Sequence, residues 1–208
     1  YSARTHGGHD AAAVVADMRN AISYAAWTPE DARAFVEWAH PRTRGWMVVA
    51  TDTELWSVFS DAMEAAGRYV FSPLAFVETG SRIRLCGDGP AQWAVWLVVS
   101  RPRTDGWLDD WRTKRRAASL PCALPGAYVD RSGGGKEHIG GKPLRLWTAL
   151  VRDYTCPGDV VCDPCAGAGT TLLAARALGL DAIGSELDPE THAAALARLG
   201  NPQQIRLL

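Results

Sequence analysis

Apolar and polar positions follow two periods along the chain, and the changes of period mark the elements. From Asp10 to Trp27 an Ala-rich stretch sets Val14, Val15 and Met18 on one face at helical spacing, which predicts a helix. Thr28-Pro29-Glu30 has the form of a second helix start, with a capping Thr and Pro at the first position. That helix runs to about Ala39, ahead of Pro41. Trp46 to Ala50 is a continuous apolar run between Gly45 and Thr51-Asp52, the pattern of a strand buried on both faces. Thr53 to Ala66 then predicts a helix ended by Gly67. Tyr69 to Glu78 and Trp93 to Ser100 are strand-like, and no helix fits between them, so they predict an antiparallel hairpin. Residues 101–135 carry Pro102, Pro121, Pro125, Gly126 and Gly133-Gly134-Gly135, and predict an irregular insertion. Leu144 to Tyr154 is an amphipathic helix. Beyond Pro157-Gly158 the rhythm tightens to strand Val160–Cys162, helix Thr171–Leu178, strand Asp181–Gly184 and helix Pro189–Leu199, with Gln204–Leu208 fitting a last strand. Such alternation predicts an α/β layer fold.

Composition narrows the class. A chain of 208 residues, 47% hydrophobic and 22% charged, has the size of one domain and enough apolar material for a core. Its 22 basic and 23 acidic residues leave a net charge of -1, which excludes a uniformly basic nucleic-acid coat and allows a local basic patch. Apolar runs such as Trp93–Val99 are too short to cross a bilayer, so no membrane is expected. No signal-peptide pattern opens the chain, and five cysteines suit a reducing compartment; a cytoplasmic location is expected. Cys162 and Cys165 have no second pair at zinc spacing, and His6 and His9 no third ligand, so no metal is expected and the cysteines are assigned to packing.

The chemistry concentrates in Val160-Val-Cys-Asp-Pro-Cys-Ala-Gly-Ala-Gly-Thr-Thr171. It is a predicted strand, a Gly-rich turn and a helix start. Gly167 and Gly169 permit a sharp turn and a close approach by a ligand, and free amides at Thr170 and Thr171 can bind a polar group. Glu186, at the end of the next predicted strand, is placed to accept hydrogen bonds from both hydroxyls of a ribose. The dinucleotide fingerprint would need a glycine where Leu172 stands, and the phosphate loop a lysine after Gly169 where Thr170 stands. A cofactor with a ribose and no phosphate fits better, and S-adenosylmethionine is the common one. Upstream, Lys142 stands just before a helix start, where Pro143 suits the first turn and the cation could reach a carboxylate.

These segments together resemble a known family. His138 with Lys142-Pro143, then Pro157-Gly158-Asp159, Asp163-Pro164-Cys165-Ala166-Gly167-Ala168-Gly169-Thr170-Thr171, then Ile183-Gly184-Ser185-Glu186, are similar to the amino-group DNA methyltransferases with permuted motif order. The resemblance implies a Rossmann-like class I methyltransferase sheet, mostly parallel with an antiparallel hairpin and with helices on both faces. It implies one domain over 1–208, with a catalytic half (1–100), a short target-recognition region (101–135) and a cofactor half (136–208). It implies methyl transfer from S-adenosylmethionine, leaving S-adenosylhomocysteine, to adenine N6 or cytosine N4 in DNA, with adenine favoured. Asp163, Pro164, Gly167 and Gly169 would line the methionine side and Glu186 the ribose; Cys165, Ala166, Thr170, Thr171 and Leu187 would belong to the same cofactor site, and the loop His138 to Pro143, with Lys142, would close over the cofactor.

Two departures stand out. Cys165 occupies a position where the family usually has an aromatic residue. The catalytic tetrapeptide Asp/Asn/Ser-Pro-Pro-aromatic is not among these residues; Tyr1 is expected to be its aromatic member, stacking on a flipped base, with the preceding strand upstream. Ser2, Arg4 and His6 follow as DNA contacts. The basic stretch Arg101, Arg103, Arg112, Lys114, Arg115 and Arg116, interleaved with Trp107 and Trp111, is expected to meet phosphates, with Arg112, Lys114, Arg115 and Arg116 the candidate contacts. So short a reading region implies modest specificity or recognition shared with a homodimer or partner subunit. The alternatives are a non-catalytic methyltransferase-like subunit that binds DNA, and a methyltransferase of RNA or protein.

Overall fold

The computed structural model describes residues 1–2, 25–79, 90–130 and 142–200. Contacts divide the chain into two compact units, 1–109 with 126–133 and 110–125 with 134–208. The predicted helix Asp10–Trp27 lies outside the described residues except for 25–27, which form no regular element, and Gln204–Leu208 lies outside them altogether.

In the first unit, α1 (Pro29–Ala39) begins with a capping box. Thr28 Oγ1 accepts from the Asp31 amide at 3.1 Å, and Asp31 accepts from the Thr28 amide at 2.8 Å. Its stripe Ala32, Val36 and Ala39 packs with Leu55, Phe59 and Met63 of α2 (Thr53–Ala65), and Met47 and Val98 complete the core. Gly67 ends the α2 region with φ +82°, a conformation that favours glycine.

The sheet of this unit is ordered around one reversed strand. On one edge of β4 (Ala94–Pro102) lies β1 (Met47–Thr51); on the other lie β2 (Arg68–Val70) and β3 (Leu74–Glu78), all antiparallel to it. β5 (Ala127–Asp130) pairs parallel with β3. Every strand except β4 therefore runs one way, which is the expected mostly parallel arrangement with an antiparallel hairpin. Three expectations need correction. The stretch Tyr69–Glu78 is two strands, broken at Phe71-Ser72-Pro73, because Pro73 has no amide to give the ladder. β1 is fully buried only at Met47 and Thr51. The described part of the interval 101–135, residues 101–130, is not irregular: it holds β5 and the helix α3 (Asp105–Ala117), within which the division between units falls. Pro102 and Pro121 flank that helix rather than interrupt it.

The second unit has β6 (Val160–Asp163) parallel to β7 (Asp181–Gly184). Helices α4 (Leu144–Tyr154), α5 (Thr170–Ala177) and α6 (Pro189–Leu199) accompany them, with a core of Val151, Leu172, Leu173, Ala174, Leu180, Ala182 and Leu199. Asp188 caps α6, accepting from the Thr191 amide at 2.8 Å. Cys162 and Cys165 are free cysteines with exposed residue surface, so neither is a core residue, although the turn around Cys165 desolvates its thiol. Among the described residues no helix is long and apolar enough to cross a membrane.

Arg115 requires the clearest correction. It is 1% exposed, so it is not a surface phosphate contact. Its guanidinium donates to the Pro121 carbonyl at 2.9 and 2.7 Å and to the Asp153 and Thr155 carbonyls at 3.0 and 3.3 Å, and it lies over the Trp111 ring at 4.9 Å. The carbonyls ending α4 lack helical partners and sit at the negative end of its dipole, so a buried cation there satisfies both needs. Arg115→Ala is expected to destabilise the chain by about 3 kcal/mol, because several buried acceptors lose their donor, whereas exposed Arg116→Ala stays within about 0.5 kcal/mol of wild type. Urea unfolding of the two variants decides it; equal midpoints would remove the anchoring role.

Candidate active site

The turn following β6 is built from backbone hydrogen bonds that cross to the turn following β7. The Ser185 amide donates to the Asp163 carbonyl at 3.0 Å, and the Ala166 amide to the Ser185 carbonyl at 2.9 Å. Ser185 Oγ donates to the Pro164 carbonyl at 2.9 Å. Gly167 and Gly169 take φ of +52° and +77°, so both glycines are required by the backbone itself. The Gly167 amide donates to Glu186 Oε2 at 2.8 Å, and Glu186 Oε1 accepts from the Asp188 amide at 3.0 Å. A carboxylate has about four acceptor positions, so Glu186 retains capacity for hydroxyl donors. A Cβ placed on Gly167 would meet nothing within 4 Å, which leaves room for a ligand at the turn. On Gly184 it would come within 2.8 Å of Leu172, so α5 packs against β7 at glycine distance.

Asp163 lies at the base of this turn. Its Oδ1 accepts from the Cys165 amide at 3.1 Å. Desolvation raises its carboxyl above the ordinary 3.8 and nearby Glu186 adds to this, against hydrogen bonds from the Thr171 hydroxyl and the Cys165 amide. Thr171 Oγ1 in turn accepts from Trp147 Nε1 at 2.6 Å. The indole of α4 thus orients the hydroxyl that steadies Asp163, a role sequence reading had not given to Trp147. Its position on the amphipathic α4 was the only available signal. Desolvation also pushes the Cys165 thiol to about 11, with Asp163 and Glu186 contributing, so the thiol stays protonated at neutral pH.

The structure therefore brings Asp163, Pro164, Cys165, Ala166, Gly167, Gly169, Thr170, Thr171 and Glu186 together at one turn. Thr170 is buried, its hydroxyl accepting from Arg198 Nη1 at 3.1 Å. Leu187, 96% exposed, extends from the same edge. Lys142 and Pro143 stand immediately before α4; His138, Arg4 and His6 lie outside the described residues. In the first unit, Tyr1 is part-buried, and Ser2 is buried with its amide donating to Asp52 Oδ2 at 2.7 Å. Ser2 is thereby corrected from a DNA contact to a residue packed beside the end of β1. Arg112, Lys114 and Arg116 are exposed on α3, with Lys114 paired to Asp110 at 2.8 Å.

A strand, a glycine turn, a helix and an acidic residue just beyond the next strand make a Rossmann-like α/β arrangement of the class I methyltransferase type. The family model for N6 and N4 DNA methylases matches residues 30–197, and the chain belongs to that family. It is similar to the type II methyltransferase M.HindIII of Haemophilus influenzae, 43% identical over 63 residues, which is 30% of this chain and 20% of that protein. It spans between a fifth and two fifths of the length of the curated relatives it matches. Among solved structures, the M1.HpyAVI–SAM complex has a TM-score of 0.62 at 21% identity, covering 80% of each chain. The cytosine-N4-specific PvuII DNA methyltransferase has 0.58 at 18% identity, covering 86% of this chain and 74% of that one. At these identities the likeness is one of fold.

Asp163 carries a pH signature. The folded state holds its proton more tightly than the unfolded chain, so stability falls as pH rises from 3.8 through the raised folded value. Relative to wild type, Asp163→Asn is expected to gain stability as pH rises above about 4, the ordinary Asp range, read as the difference in urea midpoints. A difference independent of pH would show that the carboxylate is not desolvated.

Proposed function

We propose that this chain transfers a methyl group from S-adenosylmethionine to an exocyclic amino group of a base in DNA, adenine N6 first and cytosine N4 second. The observation that carries the reading is the Gly167 turn closed by Glu186 at 2.8 Å, within the span that the DNA methylase family matches. The cytosine-N4-specific neighbour is the reason for keeping the second acceptor.

The residues of the turn fit such a cofactor. Glu186 would accept the ribose hydroxyls with its remaining acceptor positions, Leu187 would cover an apolar face of the nucleoside, and Asp163, Pro164, Gly167 and Gly169 would line the methionine side. Thr170 and Thr171 hold the helix start, and Lys142 with Pro143 would bound the site. The cofactor supplies a methyl group on a sulfonium, already a reactive donor. What the protein adds is position and electrostatics. The amino nitrogen of a base is a poor nucleophile because its lone pair is delocalised into the ring, and the base must leave the duplex stack, at a few kcal/mol. Tyr1 is proposed to stack on the flipped base and offset part of that.

The test is transfer of labelled methyl from S-adenosylmethionine to duplex DNA by the whole gene product, followed by digestion and nucleoside chromatography. Label in N6-methyladenine is expected; label in N4-methylcytosine supports the second acceptor. Absence of label with cofactor binding intact would replace the reading with a non-catalytic subunit or a methyltransferase of RNA or protein.

DNA contact is proposed for Arg112 and Arg116, four residues apart on α3 and exposed. Replacing either with Ala is expected to reduce the slope of log affinity against log salt by about one. Arg115 lies buried under Trp111, and a variant there that still folds leaves the slope unchanged. Slopes unaltered in Arg112→Ala and Arg116→Ala would place the DNA elsewhere.

A further inference from the structure

The peptide group joining Tyr1 to Ser2 is held from both sides. Its carbonyl accepts from the Trp27 amide at 2.9 Å, and its N–H donates to Asp52 Oδ2 at 2.7 Å. Trp27 is itself fixed by its ring, 5.4 Å from Phe35 and 6.0 Å from Phe59. Asp52 is fixed by its other oxygen: Oδ1 accepts from the Leu55 amide at 3.1 Å and caps α2. The Ser2 side chain adds no polar tether, since its buried Oγ has no hydrogen-bond partner. A peptide plane bonded at both its oxygen and its hydrogen is held in place, so the Cα of Tyr1 is anchored by residues distant in sequence.

We propose that Asp52 is a positioning residue for Tyr1: its carboxylate holds the Tyr1–Ser2 peptide plane so that the Tyr1 Cα, and the ring it carries, meets the flipped base from one anchored place. This rests on the reading of Tyr1 as the stacking residue. A carboxylate is needed because two separate N–H groups are served by two oxygens. Asn and Ser both cap helices well, but neither has a second acceptor oxygen to spare for Ser2.

The experiment compares Asp52→Asn and Asp52→Ser with wild type in the whole gene product, each alone and combined with Tyr1→Ala. Bacterial DNA lacking methylated adenine and cytosine is the substrate. The expected result is a fall in kcat of about tenfold or more in both single variants, the scale of a small misplacement at a reacting centre. Affinity for S-adenosylmethionine is expected to be unchanged. In the Tyr1→Ala background the Asp52 changes are expected to add nothing, because the two residues act as a unit. Wild-type kcat in the Asp52 variants would reduce Asp52 to a helix cap and overturn the proposal. Equal factors in both backgrounds would overturn it too, since Asp52 would then act without Tyr1. A Tyr1→Ala variant with wild-type kcat would instead remove the stacking reading beneath it, leaving methyl transfer itself standing. Should the Asp52 variants fail to fold, amide exchange in the wild-type chain decides: protection of the Ser2 amide is expected, and exchange at the rate of a free peptide would overturn the clamp.

Discussion

The hydrogen bond from the Gly167 amide to Glu186 organises the second unit. It spans two turns that follow neighbouring parallel strands, and it can form only if β6 and β7 are in the register that pairs Asp163 with Gly184. Gly167 can point its amide there only at φ +52°, which a side chain would strain. Once the bond is made, the chain has one route into α5, through Gly169 at φ +77°. The same carboxylate holds the Asp188 amide, and Asp188 caps α6. Register, turn and the starts of two helices thus converge on one acidic side chain.

That construction sets polar groups where burial opposes them. Asp163 is desolvated and near Glu186, and both influences favour its neutral form. The fold answers with directed donors. The Cys165 amide reaches one oxygen, and the Thr171 hydroxyl, oriented by Trp147 at 2.6 Å, reaches the carboxyl as well. Fixed dipoles around a carboxylate hold its place without mobile water, the condition under which electrostatic positioning is most effective. The close approach of Leu172 to Gly184 serves the same end, since a side chain at Gly184 would push α5 off β7.

Legibility in the sequence followed the range of the interaction. The glycine turn, its strand and helix, and Glu186 could be read because their chemistry is local and the residue types are restrictive: few side chains tolerate φ near +77°. The Thr28 cap was visible for the same reason, though its reciprocal partner Asp31 was not read. α3 was missed because Pro102 and Pro121 drew attention to its borders, although Trp107, Trp111 and Arg115 recur at helical spacing within it. Arg115 was misassigned because, Pro121 apart, its partners are carbonyls 37 to 40 positions away, and nothing in a charge pattern separates a buried guanidinium from an exposed one. Ser2 was misassigned on the same ground: its partner lies 50 positions on.

The two units use one device at the ends of their strands. In each, an acidic residue stands just past a strand, Asp52 after β1 and Glu186 beyond β7. One oxygen serves an amide a few residues downstream, Leu55 in the first case and Asp188 in the second. The other reaches an amide far off in sequence, Ser2 or Gly167. A carboxylate suits this position because it accepts at both oxygens and donates at neither. An amide side chain would satisfy one amide and present N–H to the other, turning an attraction into a repulsion. Helix capping alone would accept Ser, Thr or Asn at Asp52; only the second, long-range bond demands two equivalent acceptors. The same logic separates the two roles of Glu186, since ribose recognition requires acceptors left over after the fold has taken its share. The chemistry proposed for the site therefore depends on the same oxygens that hold the local fold.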